Sequence, residues 1–240
     1  MASDLQDSIA DFLREGGEEM QRALSGQGIS PARQARSKAT LRSLIQTGLE
    51  AAEQRDFSEI TVDAIASAAH ASVGAFYERF DSKEAFFTAL QEIVATKIER
   101  DVRARIAAPD FRRLDTPLAV AAIMRTWLTG VRLHRGLIRA SLRYIPVREG
   151  AWFPLKRLGQ RMGMIYAQAL GLRMPRVSRR RLERAIRVAL QFVHGVVVNT
   201  ILNNPGPLGL DDPELESHMN SVVCRLLELY ACERKSVRRR

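Results

Sequence analysis

The run from Thr61 to Leu90, TVDAIASAAHASVGAFYERFDSKEAFFTAL, constrains the fold more than any other part of the chain. It holds two apolar-periodic segments, each only about two helical turns long, split by a short turn. Helices that short are marginal in water by themselves. They persist only where longer helices bury their apolar faces. Such helices are expected on both sides, over 32–54 and 82–106. In the first, Leu41, Leu44, Ile45, Leu49 and Ala52 share one face; in the second, Phe86, Phe87, Leu90, Ile93, Val94 and Ile98 do so. Local chemistry marks the ends. Thr61 is placed to cap the first short helix, with Asp63 in its first turn, and Ser72 to cap the second. Asp81 with Glu84 reads as the capping box that opens the long helix after them. Val73, Phe76, Tyr77 and Phe80 fall at helical spacing. Two short helices joined by a tight turn and braced on both sides make a helix-turn-helix, whose second helix enters the major groove of DNA.

These residues resemble the DNA-binding signature of the TetR (tetracycline-repressor-like) family of transcriptional regulators. The match lies at Thr61, Val62, Ile65, Ala66, Ser72, Gly74, Phe76, Tyr77, Phe80, Lys83 and Glu84. It departs at His70 and Ala71, where the family usually has Gly and Val. The resemblance therefore asks His70 to hold a left-handed backbone, which His accepts better than a β-branched residue does. It implies that Thr61, Ser72, Tyr77 and Lys83 contact phosphates, and that Val73, Gly74 and Ala75 face base edges. Hydroxyls suit phosphate. Small side chains allow close approach and contact with thymine methyls. Phe76 and Phe80 are expected in the core. Arg33, Arg36 and Lys38 are placed to reach phosphates or the minor groove, or else to form a solvated helix start.

The rest of the chain reads as helix, so the fold class is all-α. Segments near 116–134, 136–144 and 152–171 are followed by two longer amphipathic helices near 178–203 and 213–234, split by NNPGPLGLDDP. The expected organisation is an acidic arm over 1–30, a helix-turn-helix head over 31–81, a connecting helix over 82–106, a helical region over 107–234 and a basic tail over 235–240. The resemblance implies that the helical region binds a small-molecule effector and forms a homodimer. Val193, Val197, Ile201, Met219, Val222 and Leu226 are the candidate dimer seam, with Gly195 allowing close helix approach. Met124, Trp127, Trp152, Phe153, Met162, Tyr166 and Phe192 are the candidate effector lining, and are equally core by spacing. An arginine stripe, Arg125, Arg132, Arg135, Arg139 and Arg143, reads as a solvated face. Turned inward, it would suit an organic anion with an apolar body.

Charge sharpens this reading. The chain carries a net +10, yet residues 1–30 sum to −4, 31–100 to −1 and 101–240 to +15. The basic excess thus lies outside the expected head, which must bind DNA by placed contacts. The two cysteines, Cys224 and Cys232, do not have zinc-ligand spacing and read as reduced thiols of a cytoplasmic protein without a secretory signal. No metal or cofactor is expected. His134 and His194 read as packed or surface residues. The longest apolar run, AIRVALQFVHGVVVNTIL, contains Arg187, Gln191 and His194, so no membrane span is expected. Neither a phosphate-binding glycine loop nor a nucleophile elbow is present, which argues against an enzyme. The expected function is a ligand-responsive regulator, a repressor that binds a palindromic double-stranded operator as a homodimer. The alternative is a helical ligand-binding or interaction protein of the same fold whose head has lost DNA binding.

Overall fold

A computed structural model describes residues 35–144 and 153–232. They form nine α-helices and no strand: α1 Ala35–Gln54, α2 Val62–Ala68, α3 Val73–Tyr77, α4 Lys83–Ala107, α5 Thr116–Leu133, α6 Arg135–Tyr144, α7 Phe153–Gly171, α8 Arg179–Asn203 and α9 Pro213–Cys232. Every helix expected from apolar periodicity within these residues is present, with ends within a few residues of the expected ones. Two 3-10 turns, Phe57–Glu59 and Phe111–Arg113, are too short to leave a periodic signal. The described residues divide into two compact units. One runs to Ile98 and takes in the segment from Leu133 through α6; the other comprises Glu99–Arg132 and the chain from Arg157 onward. The single helix α4 contributes to both.

In the first unit, α1 buries Leu41, Leu44, Ile45, Leu49 and Ala52. Phe76, Phe80 and Phe86 form the centre, with ring centroids 4.8–5.2 Å apart. Gly48 makes that centre possible: a Cβ there would lie 2.4 Å from Cζ of Phe86. The short helices α2 and α3 therefore rest on α1 and α4 through Val62, Ile65, Ala66 and Phe76, all buried. This is why two helices too short to stand alone can be held.

The second unit is a helical bundle in which α8 and α9 pack along each other. Arg132 ties the end of α5 to the α8–α9 connection, donating from Nε to the Leu210 carbonyl at 2.7 Å and from Nη2 to that of Asp212 at 3.3 Å. Arg173 likewise donates to the carbonyls of Leu114, Ala169 and Phe111, with its guanidinium 4.6 Å from the centre of the Phe111 ring. By length and composition α8 is long and apolar enough to cross a membrane, a property that Arg187, Gln191 and His194 mask in the sequence. One face of it, including Leu182, Ile186, Ala189, Val193 and Val197, is instead buried within the protein.

Candidate nucleic-acid interface

The turn between α2 and α3 is closed by backbone alone. The N–H of Ala71 donates to the Ala66 carbonyl at 2.8 Å, and that of His70 to the Ser67 carbonyl at 3.1 Å. This is the Schellman arrangement, which places its C′ residue in the left-handed region. His70 occupies that position with φ 52°. The expected strain at His70 is therefore real, at roughly 1–2 kcal/mol relative to glycine. Ser43 Oγ also donates to the Ala69 carbonyl at 3.0 Å, fastening the turn to α1.

Both expected caps are in place. Thr61 Oγ1 accepts the Ala64 N–H at 3.2 Å, and Ser72 Oγ accepts the Ala75 N–H at 3.0 Å. Each hydroxyl is exposed and retains its own proton, so it can cap its helix and donate to a phosphate oxygen at once. Tyr77 is 53% exposed, its ring edge-on to Phe76 at 5.4 Å. The core thus orients the ring and leaves the hydroxyl outside. Val73 and Gly74 are exposed and Ala75 is half-buried, while Phe76 and Phe80 are fully buried, as expected.

Lys83 has a different position from the one expected. Its half-buried Nζ donates to the carbonyls of Phe57 at 3.1 Å and Ile60 at 2.8 Å, and lies 4.4 Å from the centre of the Phe57 ring. The ammonium secures the segment leading into Thr61, with two of its three N–H groups directed to the protein. The cap of α4 is also shifted by one residue. Ser82 Oγ accepts the Ala85 N–H at 3.0 Å, in place of the expected Asp81. Of the basic residues near α1, Lys38 is exposed; Arg36 lies in α1 with its side chain outside the described residues, and Arg33 lies outside them altogether.

A brace that sequence reasoning missed lies on the other side of the first unit. The N–H of Gly136 donates to the Glu53 carboxylate at 3.1 and 3.2 Å, so Glu53 caps α6. Burial raises the pKa of Glu53, opposed by that N–H and by Arg139 and Arg135. Arg139 Nη2 donates to the Glu53 carbonyl at 2.7 Å, and Arg143 pairs with Asp56 at 2.9 Å. Tyr144 packs on Phe57 at 4.7 Å. The complementary spacing of Glu53 and Asp56 with Arg139 and Arg143 was the available signal, but charge pairing so distant in sequence cannot be separated from chance. His134, just before α6, is buried; burial and the nearby Lys97 push its pKa down to about 3, so it stays neutral.

The arginine stripe is thus not a free anion site. Arg125 pairs with Glu216 at 2.9 Å, Arg132 is committed to the α8–α9 connection, and Arg139 and Arg143 are held by Glu53 and Asp56. In the second unit, Val120, Ile123 and Met124 of α5, Tyr166 and Leu170 of α7, Ile186, Ala189 and Leu190 of α8 and Val223 of α9 line an apolar cavity of about 30 Å³. That is room for about one water-sized group. Of the expected lining residues, Met124 and Tyr166 are there, and burial raises the Tyr166 pKa. Met162 is buried but does not line the cavity, and Trp127 packs on His194 at 5.3 Å. Phe192 is 58% exposed. Trp152 and the Phe153 side chain lie outside the described residues.

The expected dimer seam divides in the same way. Val193, Val197 and Met219 are buried by the chain's own packing, and Ile201 and Leu226 are half-buried. The apolar groups left outside are Val222 with Phe192, Val196 and Leu229. Among the described residues, a Cβ built on Gly195 meets nothing within 4 Å.

The first unit is therefore a helix-turn-helix head, with its second short helix presented outward on an aromatic core. Residues 44–90 match the sequence model of the bacterial regulatory proteins of the tetR family. No curated protein matches the chain. Among solved structures, it is similar to a tetR-family transcriptional regulator from Streptomyces coelicolor (TM-score 0.63, 19% identity, covering 81% of this chain and 82% of that one). It is also similar to a transcriptional regulator from Cytophaga hutchinsonii (TM-score 0.59, 14% identity, 80% and 97%). A third is a TetR transcriptional regulator from Rhodococcus sp. RHA1 (TM-score 0.53, 18% identity, 81% and 97%). Residues 44–90 thus form a helix-turn-helix similar to that of the tetR-family regulatory proteins, and the fold of the chain is similar to that of these solved structures.

Proposed function

We propose that the chain is a cytoplasmic, ligand-responsive transcriptional repressor that binds a palindromic operator as a homodimer. The observation that carries this reading is the outward face of α2 and α3. Thr61 and Ser72 hold capped helix starts with protons left to donate, and Tyr77 projects its hydroxyl from a ring anchored on Phe76. Lys38, exposed in the first turn of α1, would add a phosphate contact, and Arg33 and Arg36 are further candidates on the sequence alone. Half-sites of a two-fold operator lie roughly 34 Å apart, so two heads must be held in register. The outward apolar groups of α8 and α9 support pairing with a second copy.

The effector reading rests on the apolar cavity of the second unit. Its lining supports an apolar body, and the commitment of the arginine stripe removes the reason to expect an anion. A drug-sized ligand fills about 300 Å³ or more, so the cavity would have to open to admit one. Opening it would separate α5, α7 and α8. Such an effector must prefer the DNA-released state, and operator must weaken its binding by the same factor.

The test is binding of the full chain to DNA flanking its own gene, across a salt series. Sequence-specific retardation that weakens with salt is expected. Equal binding to all duplexes, or none, would favour the second reading, a binding protein of this fold without operator recognition, to which the net −1 of residues 31–100 points.

A further inference from the structure

The cavity of the second unit carries one polar side chain that the fold does not use. Among the side chains that line it, only Tyr166 has an oxygen or nitrogen atom. Tyr166 is 6% exposed, and its hydroxyl makes no hydrogen bond with a described residue. Burial is the sole cause that raises its pKa, so no nearby charge acts on it either. A buried tyrosine hydroxyl usually finds a partner, and one left without is costly. Such a group asks for an explanation.

Water does not supply one. The cavity has room for about one molecule, but a buried water needs roughly two to four polar partners, and the lining side chains offer one. An ion fits no better. The lining holds no charged side chain, and a charge buried without a counter-charge is strongly disfavoured. The chemistry that matches is an apolar body with a single hydrogen-bonding atom set against the phenol.

We propose that the Tyr166 hydroxyl is the recognition group of the effector site, donating to a carbonyl, ether or hydroxyl oxygen of an uncharged, otherwise apolar ligand. Val120, Ile123 and Met124 of α5 and Ile186 and Leu190 of α8 enclose the apolar body. Met124 is unbranched and polarisable, so it can repack as the cavity enlarges. The ligand gives the hydroxyl the partner that no described residue gives. The inference rests on the reading of the second unit as effector-binding.

The experiment titrates the full-length protein with four small probes in a calorimeter: acetophenone, its hydrocarbon isostere α-methylstyrene, benzoate and benzylamine. The two uncharged probes should bind, and the two ions at least about tenfold more weakly. In Tyr166→Phe the ratio of acetophenone to α-methylstyrene affinity should fall about fivefold, as expected for one neutral hydrogen bond. Comparing ratios between parent and variant cancels the change in packing. Tyr166→Phe should also melt no lower than the parent, because the hydroxyl it removes has no described partner. A ratio unchanged in the variant, a variant that melts well below the parent, or tighter binding of benzoate or benzylamine than of the uncharged probes would overturn the inference and leave the effector reading standing. Binding of none of the four would remove both.

Discussion

Gly48 and Gly74 belong to the same head, and an imagined methyl group separates them. At Gly48 it would run into Phe86, at the centre of the aromatic core; at Gly74 it would meet only ordinary contact with Ser72. The first glycine is explained by the fold. The second has no such explanation among the described residues. Gly195 repeats the second case on α8, and Gly136 repeats the first, where a Cβ would lie 2.3 Å from Cα of Glu53. Glycines required by the protein's own packing can thus be told from glycines that the packing of the described residues does not require. Net charge does not make this distinction, because the basic excess lies outside residues 31–100.

The largest effect should come from charging the outward face of α8 and α9. Val222 is 44% exposed. If a second copy covers it, Val222→Arg buries an unpaired charge, at a cost of about 3–5 kcal/mol. The dimer should loosen by two orders of magnitude or more in sedimentation, while the melting of the isolated chain changes little. Val197→Arg is a poorer probe, because Val197 is buried inside the protein. A Val222→Arg variant that remains fully dimeric, or a parent that is monomeric at micromolar concentration, would remove this face from the interface.

Lys83→Ala comes next. It leaves the Phe57 and Ile60 carbonyls without their charged donor. With the group half-buried, the head should lose about 2 kcal/mol of stability. The salt slope of operator binding, which falls by about one unit when a phosphate contact is removed, should stay unchanged. A normal melting temperature with a reduced slope would return Lys83 to the phosphate-contacting role that the sequence suggested.

Lys83 also shows where sequence reasoning stops. Thr61, Ser72 and the left-handed His70 were legible because caps and turns are decided within a few residues. The direction of the Lys83 ammonium depends on carbonyls more than twenty residues away, beyond any local pattern. The brace of α6 by Glu53 and Asp56 is hidden for the same reason. On α8, Val193 and Val196 belong to one wide apolar stripe, yet only Val193 is buried. A stripe wider than one contact face does not disclose which edge the chain uses itself. The cavity was half legible: Met124 and Tyr166 line it, but helical spacing ranks them no higher than Met162, which does not.

Gly48→Ala tests the inward half of the comparison. The added methyl meets a Phe86 ring that is itself enclosed by Phe76 and Phe80, so the ring has little room to yield. Overpacking costs about 1–3 kcal/mol, and alanine's better helix propensity returns about 1 of it. A net loss of about 1 kcal/mol in urea unfolding of the head is expected. A more stable variant would mean that the ring can move aside and that packing is not the reason for this glycine.

Gly195→Ala should have the smallest effect, and its sign is what matters. No described residue lies within 4 Å of the added methyl, so the substitution should stabilise α8 by about 1 kcal/mol through propensity alone. If the glycine is there to let a second copy of α8 approach, the same methyl must hold the two helices apart. Unfolding at protein concentrations low enough to dissociate the dimer should then show a gain, and the dimer dissociation constant should rise. The two measurements move in opposite directions only if the reason for Gly195 lies in the partner. A gain in chain stability with an unchanged or tighter dimer would place the contact elsewhere on the outward face, nearer Val222 and Leu229.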